Sequence, residues 1–321
     1  MLILYSVKLP SMYDWKIIIS RNSGHGKAVE VWEKVSQFFE VHGISFSASF
    51  TEYRYHAIEI AREAVLAGCR KLVAVGGDGT MHEVLSGIMS QSDVPSSQVT
   101  LAMIPVGSGN DWPRLHKVSC DPLDAAALIV EGRSMLQDVV RMESVLDGRP
   151  MVRHMINIGG LGYDSYVCHL FNTQRSCGHS GGGRYLKCLV KGFLKYKCKD
   201  FTILVDGREF FRGPALSVAL GNGRYCGGGM MQTPDAVCDD GILNITVIRS
   251  FWKPKFIFKL RKLYDGGIYS IKEVVHAKAY KSIEILSEPS SLLEVDGESC
   301  GSTPVRATLI PSAINVITNL R

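Results

Sequence analysis

Val73-Ala74-Val75-Gly76-Gly77-Asp78-Gly79-Thr80-Met81-His82-Glu83 is the stretch on which the reading of this chain turns. Its first part, with Lys71 and Leu72 before it, is a run of small and β-branched apolar residues, the composition of a strand buried on both faces. It opens directly into three glycines within four residues, and Met81 to Met89 then reads as a helix. Glycines at the end of a buried strand let the backbone approach a polyphosphate closely, and the following helix presents its first N–H groups to that anion. Asp78 cannot ligate a phosphate itself. A carboxylate placed there makes sense through a bridging magnesium ion, which keeps most of its waters and binds few protein groups. Glycines alone would also suit a tight βα turn; Asp78 and Thr80 carry the motif beyond that.

Working outward, the same strand, turn and helix pattern recurs. Trp15 to Ser20 breaks into Arg21-Asn22-Ser23-Gly24-His25-Gly26-Lys27 and then a helical stretch with Val31, Val35, Phe38 and Phe39 on one face. Ile44 to Phe50 is strand-like and Tyr55 to Gly68 helical. Ala102-Met103-Ile104-Pro105-Val106 is another apolar strand running into Gly107-Ser108-Gly109-Asn110-Asp111-Trp112. There the glycines allow close approach, Ser108 offers a hydroxyl, and Asn110 with Asp111 suits organising metal-bound water or an acceptor hydroxyl. Asn-Asp reads equally well as a helix N-cap. Strands alternating with helices imply a parallel sheet and a nucleotide-compatible α/β domain over 12–135, with about 306–321 returning to it. Beyond residue 135 β-like segments dominate, at Met151–Ile158, Phe201–Val205, Ala215–Leu220, Ile242–Ile248 and Ser282–Leu286, so 136–305 reads as a mostly antiparallel, sandwich-like second domain. A ligand is expected in the cleft between the two.

The bulk properties narrow the class. The 321 residues are 46% apolar and 21% charged with the signs mixed, which fits a folded two-domain protein. A net charge of +5 favours anionic partners such as nucleotides or acidic lipid surfaces. No helix-turn-helix, zinc-finger or RNP pattern supports nucleic acid. The nine cysteines are scattered without a C-x-x-C pair, so they read as reduced thiols rather than zinc ligands. Met1 to Val7 lacks the basic start and length of a signal peptide, and no apolar run approaches ~18 residues. The expected place is the cytoplasm, with contact at the inner face of the membrane if the substrate is a lipid. The sequence leaves open whether the chain forms a homodimer.

Gly76-Gly77-Asp78-Gly79-Thr80 followed by Glu83 and Gly87, with Pro105-Val106-Gly107-Ser108-Gly109-Asn110-Asp111, resembles the diacylglycerol kinase catalytic domain family. Downstream, Asn157 to Asp164, Asn222 to Met230, Pro234-Asp235-Ala236, Asp239-Asp240-Gly241 and Glu294-Val295-Asp296-Gly297-Glu298 are similar to later elements of that family, in order. The resemblance implies an N-terminal α/β domain like those of phosphofructokinases and NAD kinases, a C-terminal β-sandwich, ATP and Mg2+ as cofactors, and a lipid alcohol at a membrane surface as acceptor. It implies ATP contacts from Thr51, from Gly76 and the stretch Gly77, Asp78, Gly79, Thr80 to Glu83, and from Gly107, Ser108 and Asn110. It implies catalytic roles for Asp78 and Asp111, a structural magnesium at Val237, Asp240 and Ile242, and Glu298 as proton acceptor. Spacing alone would not select Glu298, since Asp-Gly-Glu in a hairpin usually marks a turn.

The chain departs from the family at Ser20-Arg21-Asn22-Ser23-Gly24, where only the Ser-Gly half of an Asn-Pro-x-Ser-Gly pattern is present, and at Ser108, where many bacterial members carry threonine. His82 reads as a supporting hydrogen-bond partner and Gly178 to Gly183 as a connector. Two alternatives remain at this level, an NAD kinase-like enzyme and a catalytically silent nucleotide-binding module. Leu186, Leu189, Val190, Phe193 and Leu194 form an apolar stripe flanked by Arg184, Lys187, Lys191, Lys195, Lys197 and Lys199, and Phe251 to Lys259 repeats the mixture. Both suit an anionic membrane surface, or equally a packed face with solvated lysines.

Overall fold

The computed structural model describes residues 13–107, 109–176, 193, 196–251 and 259–320. Ser108, the connector at 178–183, most of the basic stripe at 184–199 and residues 252–258 of the second basic run lie outside them. The chain divides into two compact units, Met1–Gln137 with Ser312–Arg321, and Asp138–Pro311.

In the first unit, strands β1 (Trp15–Ile19), β2 (Phe46–Phe50), β3 (Lys71–Gly76) and β4 (Thr100–Pro105) pair in parallel in the order β2-β1-β3-β4. The end of β16 (Glu298–Ile317) adds a further parallel strand through Asn315↔Thr100 and Val316↔Leu101. The central strands are almost wholly buried, as parallel strands covered on both faces must be. The helices are α1 (Lys27–Val41), α2 (His56–Leu66), α3 (Asp78–Met89), α4 (Asp111–Leu115) and α5 (Pro122–Glu131). α1 forms because Ala28, Trp32, Val35 and Phe39 fall on one stripe, and all four are buried. α5 is bounded by its own sequence: Asp121 accepts from the N–H groups of Leu123 and Asp124, proline occupies its first turn, and Gly132 at φ 71° ends it. The chain steps from β1 to β2 in one direction and from β2 to β3 and β4 in the other. With right-handed crossovers this reversal puts α1 on one face and α2 and α3 on the other. α2 and α3 pack so closely that a Cβ on Gly87 would lie 2.4 Å from the Ile58 carbonyl.

The second unit is antiparallel. Its strands are β5 (Ser134–Leu146, from Asp138 on), β6 (Arg149–Met155), β7 (Ile158–Gly162), β8 (Lys199–Val205), β9 (Arg208–Gly221), β10 (Tyr225–Cys226), β11 (Met230–Met231), β12 (Leu243–Arg249), β13 (Val274–Ala279), β14 (Ser282–Glu288), β15 (Leu292–Val295) and β16, with α6 at Tyr163–Ser176. Pairing runs β13-β12-β9-β7-β15-β16, and from β16 through β14 and β8 back to β9. β9 and β16 thus belong to both layers of a β-sandwich closed on itself, which removes exposed edges along that path. Its core is apolar, built on Leu161, Phe201, Ile203, Val218, Leu220, Ile245, Ile285 and Val295.

Candidate functional site

The sheet's reversal of direction falls between β1 and β3, and parallel α/β sheets bind ligands beyond the carboxyl ends of their strands at such a point. Three loops meet there. A Cβ on Gly107 would lie 2.7 Å from the Cα of Gly77, and one on Gly24 would lie 2.5 Å from the Val106 carbonyl oxygen. The loops after β3 and β4 therefore touch backbone to backbone, and only glycine permits it. Thr80 and Ser23, both buried, face each other with their hydroxyl oxygens 3.4 Å apart. Gly76 leaves the space that the Thr80 side chain occupies, since a Cβ there would sit 2.3 Å from its Oγ1. α3 begins at a glycine N-cap, Gly77, so no side chain caps its first turn, which contains Asp78 and Gly79. Helix N-terminal amides left without a side-chain cap form an anion-binding end.

Asp78 stitches the two glycine loops together. Its Oδ1 accepts from the N–H of Trp112 at 3.0 Å and its Oδ2 from the N–H of Asp111 at 3.1 Å. Asp111 is buried at the start of α4, and both carboxylates lie close to Gly109, 3.3 Å and 3.6 Å from where its Cβ would be. Two carboxylates at one glycine are hard oxygen donors suited to a magnesium ion carried by a nucleotide. Asn110 stands at the N-cap position of α4 with φ 52°, but its side chain makes no cap bond; its amide donates to the Gly107 carbonyl at 2.9 Å. Its Oδ1 is buried with no hydrogen-bond partner among the described residues. Thr51 follows β2, its N–H bonded to the Ile19 carbonyl at 2.9 Å, which puts it at the same carboxyl edge. Glu83 reaches the start of α2, where its Oε1 accepts from the Tyr55 N–H at 3.4 Å. A groove of about 730 Å³ in this unit lies elsewhere, lined by Trp15, Lys16, Ser49, Glu63 and Cys69 among others, and by none of the residues singled out above.

In the second unit Glu298 begins β16 directly after a two-residue hairpin turn, Asp296-Gly297, whose φ values of 49° and 85° are both in the left-handed region. The turn is anchored on every side. The Asp296 carboxylate accepts from the N–H groups of Ile156 at 3.0 Å, Asn157 at 2.9 Å and Ile158 at 3.1 Å. Glu294 accepts from the Gly297 N–H at 2.9 Å, and the Cys168 thiol donates to the Gly297 carbonyl at 3.0 Å. Beside it, Asn157 and Asn222 donate their amides to main-chain carbonyls, while the Oδ1 of each is buried with no partner among the described residues. Asp164 is half-buried; Ser217 and Gln232 donate to it, and burial raises its pKa to about 6 despite those bonds.

Val237, Asp240 and Ile242 sit on one loop. Asp240 accepts from the Ile242 N–H at 2.9 Å, and the neighbouring Asp138 accepts from the Gly241 N–H at 2.8 Å. Burial first, then the charges of Asp138 and Asp239, raise the pKa of Asp240, while Lys278 and the Ile242 N–H oppose the shift. Among the described residues no group of three or more His, Cys, Asp or Glu side chains is set to hold a metal. A magnesium here would depend on main-chain carbonyls and water with one or two carboxylates, a donor set that does fit that ion.

Three residues that the structure brings to these places carry little signal in the sequence: Ser23 is half of a departed motif, Asp138 has no motif of its own, and Asp296 stands in a hairpin pattern beside Glu298. Asp296-Gly297 between two apolar runs is a hairpin signal, but nothing local shows that its carboxylate reaches residues 138 to 140 positions away.

Comparison with known proteins agrees with this geometry. Residues 14–142 match the family model of the diacylglycerol kinase catalytic domain, and residues 158–318 match that of the YegS C-terminal NAD kinase beta sandwich-like domain. A protein of Xanthomonas oryzae named "Probable lipid kinase YegS-like" is 28% identical over 277 residues, covering 85% of this chain and 87% of that protein. A Mycobacterium tuberculosis protein named "Diacylglycerol kinase" is 25% identical over 296 residues, covering 92% of each. The crystal structure of a diacylglycerol kinase from Bacillus anthracis superposes with a TM-score of 0.72 at 23% identity, covering 96% of this chain and 98% of that one, which shows a shared fold. With one model on each unit, and the second spanning half of its residues, the chain belongs to the diacylglycerol kinase catalytic domain family.

Proposed function

We propose that this protein is a lipid kinase that transfers the γ-phosphoryl group of ATP to the hydroxyl of a lipid alcohol. The observation that carries the reading is the meeting of the three loops after β1, β3 and β4, glycine against backbone, around the uncapped start of α3. Phosphoryl transfer asks the protein for alignment and charge neutralisation rather than covalent chemistry. Gly76, Gly77, Gly79 and Gly107 give main-chain N–H groups access to phosphate oxygens, and the Thr80 hydroxyl, with Ser23 behind it, adds a directed donor. Thr51, Glu83, Ser108 and Asn110 complete the ATP contacts that the family resemblance implies. Asp78 and Asp111 would hold the magnesium of the nucleotide, which when bound neutralises charge on the phosphates.

An alcohol does not ionise freely near neutral pH, so a base must take its proton. Glu298 is given that role, and its fixed hairpin is the kind of support such a residue needs. Val237, Asp240 and Ile242 would hold a second, structural magnesium. The acceptor is a lipid with an interfacial hydroxyl, of the diacylglycerol, prenol, sphingoid or phosphatidylglycerol class. No described helix is long and apolar enough to cross a membrane, so the enzyme would meet this lipid from the water side, at the inner membrane face.

Incubation of the purified protein with γ-labelled ATP, Mg2+ and a total lipid extract tests the proposal. A labelled lipid whose mass is increased by one phosphate is the expected result. Label confined to inorganic phosphate, or appearing on NAD when that is added, would overturn the lipid reading.

A further inference from the structure

Three arginines of the second unit pair with carboxylates, Arg141 with Glu143, Arg212 with Glu209 and Arg306 with Glu284. Arg224 has no carboxylate partner among the described residues. It is half-buried, and its Nη2 donates to a neutral acceptor, the Ala236 carbonyl, at 3.2 Å. Its Nε is buried with no hydrogen-bond partner among the described residues. A guanidinium drawn partly out of water without a counter-charge is costly, and its planar fork of donors matches the oxygens of a phosphate.

The backbone around Arg224 is clamped by one residue. The Asn157 carbonyl accepts from the N–H groups of Asn222 at 3.0 Å and Gly223 at 2.7 Å, and its side-chain amide donates to the Tyr225 carbonyl at 2.9 Å. The same Asn157 gives its own N–H to Asp296, in the turn that precedes Glu298. The Arg224 segment is thereby fixed relative to that hairpin, and so is a group bound to its guanidinium. Other polar atoms without partners gather here. They are the Oδ1 atoms of Asn157 and Asn222 and the Nδ2 of Asn244, which stands opposite Gly221 in the pairing of β12 with β9. Such atoms mark a place that expects a polar occupant, water or ligand.

Directly after Arg224 comes the short ribbon of β10 and β11, joined by Gly227, Gly228 and Gly229. A Cβ on Gly228 would meet nothing within 4 Å, so the tip of the ribbon stands in open space. Its strands carry Tyr225, Cys226, Met230 and Met231, all half-buried. A partly exposed apolar ribbon with polarizable sulfur, beside an unanswered guanidinium, fits an amphiphile with an anionic head. We propose that Arg224 binds the phosphate of a phospholipid headgroup, and that the acceptor is a phospholipid with a hydroxyl in that headgroup rather than neutral diacylglycerol. The phosphate site follows from Arg224 and its surroundings; its use for the acceptor rests on the lipid-kinase reading and on the Asn157 link to the hairpin of Glu298.

Isothermal titration of the full chain without ATP separates the sources of the phosphate. The probes are monomeric dihexanoylphosphatidylglycerol, inorganic phosphate, and dihexanoylglycerol as the neutral control. The phospholipid should bind at least about 10-fold more tightly than either of the others, the scale of one charge-assisted contact. Wild type that binds the neutral lipid or inorganic phosphate as tightly as the phospholipid would overturn the proposal, whether or not any variant folds. Arg224→Gln, with its melting temperature checked, should lose that preference for the phospholipid. Arg224→Lys keeps the charge without the fork and should fall between. A folded Arg224→Gln that binds as wild type does would also overturn it. In the kinase assay, KM for phosphatidylglycerol should rise about 10-fold in Arg224→Gln while KM for ATP stays unchanged. A rise in KM for ATP instead would assign Arg224 to the nucleotide and overturn its role toward the acceptor. Phospholipid binding by a wild type that phosphorylates no lipid would sink the kinase reading and leave the phosphate site standing.

Discussion

Asp78 in the first unit and Asp296 in the second perform the same structural act, each accepting main-chain N–H groups from a loop far along the chain. The difference lies in what each leaves exposed around it. Asp78 joins two glycine loops that touch backbone to backbone, beside an uncapped helix start and the buried Thr80 and Ser23 hydroxyls. Asp296 sits in a hairpin turn fixed from three directions, directly before Glu298, the proposed proton acceptor. In the proposed function the first unit offers many weak donors to a large anion, and the second fixes a single carboxylate. In both, a charged acceptor satisfies buried N–H groups, a role whose loss costs ~1–3 kcal/mol for each group left unpaired.

The comparison breaks first at Asp78. Asp78→Asn keeps the shape but removes the charge and turns an N–H donor toward one of two N–H groups. Kinase activity should fall by roughly 10²–10³-fold with a smaller loss of melting temperature. Activity within a few-fold of wild type would leave Asp78 as a loop tie and nothing more.

Each unit also carries a titratable group shifted by desolvation, in opposite directions. Burial lowers the pKa of His116 to about 3, so its contribution to stability is present above about 6.5 and is lost as pH falls toward 3. Burial raises that of Asp164 from 3.8 to about 6, so its contribution is present below 3.8 and is lost as pH rises through 6. Asp164→Asn removes the second dependence. The variant should be more stable than wild type by about 3 kcal/mol at pH 8 and no more stable at pH 4, read from denaturant midpoints at both values. A constant difference across that range would contradict the cause given for the shift.

Asp296→Asn sharpens the contrast. If Asp296 serves by fixing the hairpin of Glu298, the proposed proton acceptor, kcat should fall by roughly 10-fold while KM for ATP stays unchanged. A rise in that KM would place Asp296 with Asp78 after all. The smallest effect is expected at Gly107→Ala, where the new Cβ, 2.7 Å from Gly77, must push the two loops apart. It should cost ~1–3 kcal/mol and raise KM for ATP, measured by thermal melts and initial rates.

The strand, turn and helix order of the first unit was legible because each element is coded locally: Val73 to Val75 apolar, Gly76 to Gly79 turning, Met81 onward helical. The antiparallel second unit was legible from its alternating segments, and its closure through β8 and β14 was not, since pairing over such separations leaves no local mark. Gly107 and Asn110 were recognisable as loop residues. That Asn110 folds back on Gly107 instead of capping α4 depends on a left-handed backbone that the sequence only permits. Asp78 stood out as a carboxylate within a glycine-rich turn, but its bonds to Asp111 and Trp112 bridge 33 and 34 positions and needed the fold.

Amide hydrogen exchange with and without ATP and Mg2+ tests the central claim most directly, because it reports which main-chain N–H groups meet the nucleotide. Protection should appear at residues 76–80, at 107–111 and near Thr51, and should be lost in Asp78→Asn. Protection along the groove lined by Trp15, Lys16 and Cys69, with none in the glycine loops, would contradict the assignment of the phosphate site.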